Sequence, residues 1–351
     1  MAAEERSGKK KTRSRTILWL VLVLVLASAA LLLAARRVPG FGEWYAVTVY
    51  PLIVGSVGRA AGLFPVSLSE LLLYGLPAVL ILLAVLRKGR ALLSTLVTAA
   101  AVLLFLYSAN CGVNYYRVPF SEEAGLVREE APAEELATLC EELAAALNEA
   151  SPVQENGDVR TKTRAAMEKL GEAYPSLSGY YPAPKLLLVP WILSVQQVSG
   201  IYSPFFVEAN VNSAMTDFYV PFTCCHELSH LRGFMREDEA NFIAFLACVG
   251  SGDPALERSG LMLGFIYAGN ALYRVDPERY LAIRETLPAQ VLAEYAENSA
   301  FWHKYDGKVA EVQDKVNDAY LKGNGQAEGV QSYGRIVDLM LAWRRQGGRI
   351  E

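Results

Sequence analysis

At 351 residues, 52% hydrophobic and with a positive mean hydropathy, the chain is too apolar for an ordinary soluble domain; at 20% charged residues it is too charged for a pure membrane bundle. Two regimes are therefore expected, and a net charge of −4 without a basic surface beyond the membrane flanks argues against nucleic acid as a partner. The five cysteines (Cys111, Cys140, Cys224, Cys225 and Cys248) are odd in number and lack C-x-x-C spacing, which argues against a disulfide framework and for buried thiols.

Residues 1–15 form a basic tail with Lys9, Lys10, Lys11, Arg13 and Arg15 and no sign of folding. Residues 16–35 follow as a 20-residue apolar run, enough to cross a hydrocarbon core of about 30 Å and longer than the core of a cleaved signal, so an uncleaved anchor is expected. Trp44, Tyr45 and Tyr50 sit where an interfacial aromatic belt lies, and residues 46–64, broken by Pro51, Gly55, Gly58, Arg59 and Gly62, read as an interfacial or partly re-entrant segment. Ser67 and Glu70 make a capping box that opens a second span, residues 68–86, with Pro77 as a kink. A basic turn at 87–90 leads to a third span at 91–109. The basic tail and basic turn both mark the cytoplasmic side, against a smaller contribution from Arg36, Arg37 and Arg59. The reading is a multi-pass protein of the cell membrane with residues 111–351 outside the cytoplasm.

From about residue 119 the composition becomes acidic and helical. Residues 121–150 and 159–174 read as amphipathic helices flanking a loop at 152–158. Three short apolar and aromatic stretches, 185–193, 202–212 and 217–222, read as strands of a small sheet. Tyr202, Glu208, Asn210 and Asn212 read as ordinary strand polarity, with cleft lining as the alternative. Residues 260–273 are too short for a span and read as a core helix, followed by helices at 277–303, 308–322 and 330–345. The fold class expected is α+β and mostly helical.

The chemistry concentrates in His226-Glu227-Leu228-Ser229-His230. Residues four apart on a helix share a face, so both imidazoles can aim at one point, with Glu227 beside it to take a proton from an activated water. The chain has three histidines in all, so chance would produce this motif with a probability on the order of 0.002. A third ligand must come from another element. Gly233 ends the helix, and Glu237, Asp238 and Glu239 open the next, where carboxylates also suit the helix dipole. Glu237 shares a face with Ala240, Asn241 and Ala244, whereas Glu239 shares one with Ile243 and Leu246. Glu237 is therefore the preferred third ligand and Asn241 its support, with Glu239 as the alternative. Three protein ligands leave a fourth position open, the catalytic arrangement.

The pattern His226-Glu-x-x-His230 followed by Glu237-x-x-Ala240-Asn241 resembles the zinc peptidases of the gluzincin type. Together with residues 208–212 and 221–223, it resembles more closely an uncharacterised family of bacterial membrane proteins with a zincin-like domain. The resemblance implies a zincin-like metallopeptidase domain, Zn2+ as cofactor, and an edge strand that aligns the substrate. The connection departs from the usual gluzincin, because six residues separate His230 from Glu237; Gly233 falls where metzincins carry a glycine, and Arg236 where they carry a third histidine. Four residues from Gly233 still reach up to about 13 Å. His303, Tyr267 and Tyr273 are candidates for polarising an oxyanion, with surface or core packing preferred for each. The expected function is a membrane-anchored zinc-dependent metallopeptidase acting on a peptide or protein near the membrane surface. The alternative is a catalytically inactive, zinc-stabilised membrane sensor or scaffold.

Overall fold

The computed structural model describes residues 2–87, 89–129, 131–150 and 157–350, without the side chains of residues 2–14 and 90. The basic side chains at 9–13, Lys88 of the basic turn and residues 152–156 of the expected loop lie outside the described residues. The chain is mostly helical with one three-stranded sheet.

Among the described residues, three helices are long and apolar enough to cross a membrane. The first, α1 (Ala2–Arg37), runs on through the basic tail that carried no folding signal; its apolar part is Arg15–Arg37. The second, α2 (Leu68–Leu86), opens on one half of the expected box: the Glu70 N–H donates to Ser67 Oγ at 2.9 Å, while the Glu70 carboxylate turns to the N–H groups of Leu188 and Val189. The third is α3 (Arg90–Asn110), which packs along α1.

Residues 41–62 form a continuous helical run containing two π-helical segments, Tyr45–Val49 and Val54–Gly58. One face, with Tyr45, Tyr50 and Val54, is buried in the main core, while Trp44, Val47, Leu52 and Val57 stay exposed on the other. The Tyr50 hydroxyl donates to the Leu231 carbonyl at 2.9 Å and lies 2.7 Å from the Tyr202 hydroxyl, so this segment is fastened to the motif helix and to the sheet.

The expected helix at 121–150 is shorter, because Gly125 takes a left-handed conformation and Pro132 stands at a new helix start. What forms is a turn of helix at Phe120–Glu123 and then α4 (Ala133–Glu149), which buries Leu136, Leu139, Cys140, Leu143 and Leu147 on one face. Helix α5 (Val159–Ala173) follows as expected. The sheet comprises β1 (Lys185–Leu186), β2 (Gly200–Ser203) and β3 (Glu208–Val211) in the order β1-β3-β2. Strand β1 runs parallel to β3, with Lys185 opposite Asn210; β2 runs antiparallel, with Ile201 also opposite Asn210.

The strand expectations need three corrections. The stretch 185–193 leaves the sheet after Leu187, binds α2 through the Leu188 and Val189 N–H groups, and turns at Pro190 into a short helix, Trp191–Ser194. Residues 202–212 are not one strand but a hairpin, interrupted after Ser203 by Pro204 and by Val207 at φ 56°. Residues 217–222 are no strand at all: they enter α6 (Tyr219–Leu231), whose first turn accepts Pro221 because no helical partner is needed there. Burial on every side of α6 hides the helical period.

Helix α7 (Glu237–Val249) and the core helix α8 (Pro254–Val275) complete the packing around α6. The expected helix at 277–303 is divided at Pro288 into α9 (Pro277–Arg284) and α10 (Ala289–His303). The chain ends with α11 (Lys308–Gly323), a 3-10 segment Gly329–Arg335 and α12 (Ile336–Arg345).

Candidate metal centre

Helix α6 places His226 and His230 one turn apart with ring centroids at 4.6 Å. It ends at Gly233, whose φ of 96° is readily adopted only without a Cβ. The Phe234 N–H bonds back to the Ser229 carbonyl at 3.1 Å and the Gly233 N–H to the His230 carbonyl at 2.9 Å, a Schellman closure. The reversal also brings the Phe234 carbonyl within 2.7 Å of His230 Nδ1. Three residues on, Glu237 starts α7 and faces back to the histidines.

Glu237 Oε2 lies 3.3 Å from His226 Nε2 and 3.4 Å from His230 Nε2. Ligand atoms of the three residues all lie within 4.8 Å of one another. Asn241, one turn along α7, holds its Oδ1 2.8 Å from His226 Nδ1 and donates from Nδ2 to the Tyr333 carbonyl at 3.2 Å. An acceptor at each Nδ1 keeps a proton on that nitrogen, so a neutral ring turns its Nε2 lone pair toward Glu237. The short connection thus brings Glu237, His226, His230 and Asn241 together.

The electrostatics ask for positive charge at this meeting point. Burial disfavours the ionised Glu237 carboxyl, yet the two imidazoles outweigh it and hold Glu237 well below the usual carboxylate range. Burial likewise disfavours a charged His230, and Glu237 outweighs it, holding the imidazole at about 9. Glu237 Oε2 is buried and makes no hydrogen bond within the described residues. Two imidazole nitrogens and a buried carboxylate oxygen converging on one point are the donor set that suits a zinc ion, so the residues fit that cofactor.

Glu239 is not part of the cluster. Buried in a different direction, it lies 4.0 Å from Arg236, and burial pushes its carboxyl up to about 7. Asp238 pairs with Arg128 at 2.6 Å.

Glu227 is buried on the sheet side of the pair, against Gly200 of β2. Burial pushes its pKa up to about 7, against the lowering pull of both imidazoles. Its Oε2 makes no hydrogen bond within the described residues. The neighbouring strand comes very close: a Cβ on Gly200 would stand 2.5 Å from Glu227 Oε1 and 2.9 Å from the Asn210 carbonyl.

Residues 45–341 match the family described as a protein of unknown function, DUF3810. The chain belongs to this family. No curated protein and no solved structure matches the chain. The span shared with the DUF3810 family contains the whole centre, from Tyr50 behind α6 to Tyr333.

Tyr333 was not legible in advance. Its hydroxyl stands against the Glu237 carboxylate and accepts from Asn317 Nδ2 at 3.3 Å, and burial raises its pKa. Of the three residues expected as donors, Tyr267 packs against Phe222 with ring centroids at 6.3 Å. Tyr273 is exposed, and His303 is exposed and pairs with Asp306 at 2.7 Å. Tyr202 and Asn212 are occupied internally, by Tyr50 and Ser194, and Asn210 donates to the Ile201 carbonyl.

Among the described residues, strand β2 has β3 on one side only. The Asn212 N–H donates to the Ser199 carbonyl, so alternation turns the backbone groups of Gly200 and Tyr202 to the free edge beside Glu227. A cleft of about 420 Å³ lies alongside, between Gln196, Gln197 and Val198 and the Asp306, Glu311 and Asn317 side; Asn317 links it to Tyr333.

Proposed function

We propose that the chain is a membrane-anchored, zinc-dependent peptidase with a zincin-like domain. The observation carrying the proposal is the convergence of the buried Glu237 Oε2 with two Nε2 atoms whose rings are fixed from behind by Asn241 and the Phe234 carbonyl. His226, His230 and Glu237 would hold the ion. Bound zinc supplies Lewis acidity, which lowers the pKa of water and polarises a carbonyl group.

The chain's own groups do the rest. A peptide in extended form adds to the free edge of β2, using backbone groups as β-augmentation does. Glu227, buried and titrating near neutrality, takes a proton from water and returns it to the leaving amine. The Tyr333 hydroxyl donates to the oxygen on which negative charge develops. In this reading α1, α2 and α3 anchor the protein in the cell membrane, the basic tail and the 87–90 turn face the cytoplasm, and the domain after residue 110 lies outside, acting on substrates near the membrane surface.

The test combines metal analysis with turnover. Purified full-length protein should carry close to one zinc per chain, lost in His226→Ala, and Glu227→Gln should keep the zinc while abolishing peptide hydrolysis. Absence of zinc from the wild type would refute the centre. Zinc retained in both proteins, with membrane proteomes unchanged between them, favours the inactive sensor or scaffold.

A further inference from the structure

We infer that the loop at 188–191 is a wedge that inserts into the outer leaflet of the lipid bilayer and seats the sheet on the membrane. The loop is bound to the first two turns of α2. Glu70 accepts the Leu188 N–H at 3.0 Å and the Val189 N–H at 2.7 Å, and the Tyr74 hydroxyl donates to the Val189 carbonyl at 2.9 Å.

Helix length sets the depth of this contact. The 19 residues of α2 span roughly 28 Å at 1.5 Å per residue, barely the thickness of a hydrocarbon core, so the helix needs its whole length to cross. Tyr74 lies six residues beyond Leu68, about 9 Å along the axis. A loop bonded to Glu70 and Tyr74 therefore sits at or below the membrane boundary.

Its chemistry suits that position. Leu188, Val189 and Trp191 are 67%, 48% and 59% exposed, and no charged residue occurs between Leu186 and Gln196. Leu63 and Phe64, just before α2, are exposed as well and extend the apolar collar; the Lys185 ammonium is bonded to the Phe64 carbonyl. Backbone donors entering lipid must be satisfied from within the protein. Here Glu70 takes two, and Pro190 has none to offer. Tryptophan at such a tip is the side chain that favours the interface.

The wedge continues directly from β1, so it fixes the height of the sheet and of the β2 edge. Resting on the proposed peptidase reading and on α2 as a membrane span, it narrows the substrates to polypeptide segments lying at the outer membrane surface.

The test uses the full chain in phosphatidylcholine–phosphatidylglycerol vesicles. All five native cysteines are buried, so a nitroxide attaches selectively at Leu188→Cys, with Ile81→Cys of α2 as the lipid reference and Ala145→Cys of α4 as the aqueous one. The label at 188 should collide with oxygen in preference to a water-soluble nickel chelate, as at 81 and opposite to 145. Behaviour like 145, with 81 in lipid, overturns the wedge and leaves the span intact. If 81 itself reports water, the span fails and the wedge with it. Shielding of 188 from both reagents would assign the patch to a protein partner such as a second copy. Independently, Trp191→Phe should remove part of the fluorescence quenching by brominated lipids, and unchanged quenching counts against insertion.

Discussion

The Asn241 amide lies 2.8 Å from His226 Nδ1 at one end and 3.2 Å from the Tyr333 carbonyl at the other, so one side chain on α7 ties a histidine of the motif to the segment that brings Tyr333 to the centre. Asn241→Ala should therefore lower zinc affinity by about 10- to 100-fold, the usual cost of removing a partner that orients a ligand. Competition against a chelating dye measures it. Asn241→Asp keeps an acceptor at Nδ1 and should retain more of the affinity than Asn241→Ala.

Zinc that binds the folded chain and not the unfolded one adds stability by mass action, about 4 kcal/mol at a free concentration 1,000 times its Kd. Chelation should accordingly lower the thermal midpoint of the protein in detergent, and added zinc should restore it. His226→Ala should unfold at one temperature with or without zinc. A wild-type midpoint indifferent to chelator speaks against an ion in the core of α6 and α7.

Tyr333 accepts from Asn241 through its backbone carbonyl, which a substitution keeps, and turns its hydroxyl to Asn317 and the Glu237 side. Tyr333→Phe removes that oxygen and leaves the ring. Zinc content should be unchanged and kcat should fall by about 10²- to 10³-fold, the loss seen when one oxyanion donor is deleted. Loss of zinc instead would mean that the hydroxyl serves to hold Glu237.

How far the sequence was readable follows from how far each interaction reaches. His226, His230 and Glu227 sit within five residues, and the Glu237-versus-Glu239 choice needed only the helical face, on which Asn241 also falls. The Phe234 carbonyl partner follows from Gly233 ending the helix, although only the backbone geometry reveals where that carbonyl points. Tyr333 lies 96 residues beyond Glu237 in a 3-10 segment, and no local period marks such a contact. Residues 217–222 were misread because a helix buried all round loses its polar stripe. Glu208, read as strand polarity, turned out to bind the start of α2, since pairing across the chain is invisible to a window of a few residues.

That Glu208 contact joins sheet to spanning helix. The buried carboxylate accepts the Leu68 N–H at 3.0 Å, the Ser69 N–H at 3.0 Å and the Ser69 hydroxyl at 2.8 Å. These N–H groups belong to the first turn of α2, which has no helical acceptor of its own. Glu208→Ala should cost roughly 1–3 kcal/mol for each buried donor it strands, read as a lower unfolding midpoint. Glu208→Gln keeps one acceptor oxygen and should lose less.

Gly200 has the tightest tolerance at the centre. A methyl group there would stand 2.5 Å from Glu227 Oε1, 2.7 Å from its Cγ and 2.9 Å from the Asn210 carbonyl. The carbonyl is held in the β2–β3 ladder, so Glu227 is the group that gives way. A displacement near 1 Å of a reacting group costs on the order of 10²-fold in rate. Gly200→Ala should thus retain zinc through His226, His230 and Glu237 and lose about that much kcat, a milder copy of Glu227→Gln. The added methyl meets Glu227 and the carbonyl on the β3 side, so KM should stay close to the wild-type value in Gly200→Ala as in any residual turnover of Glu227→Gln. A KM raised in Gly200→Ala alone would tie Gly200 to substrate alignment, beyond the task of making room for the Glu227 carboxylate.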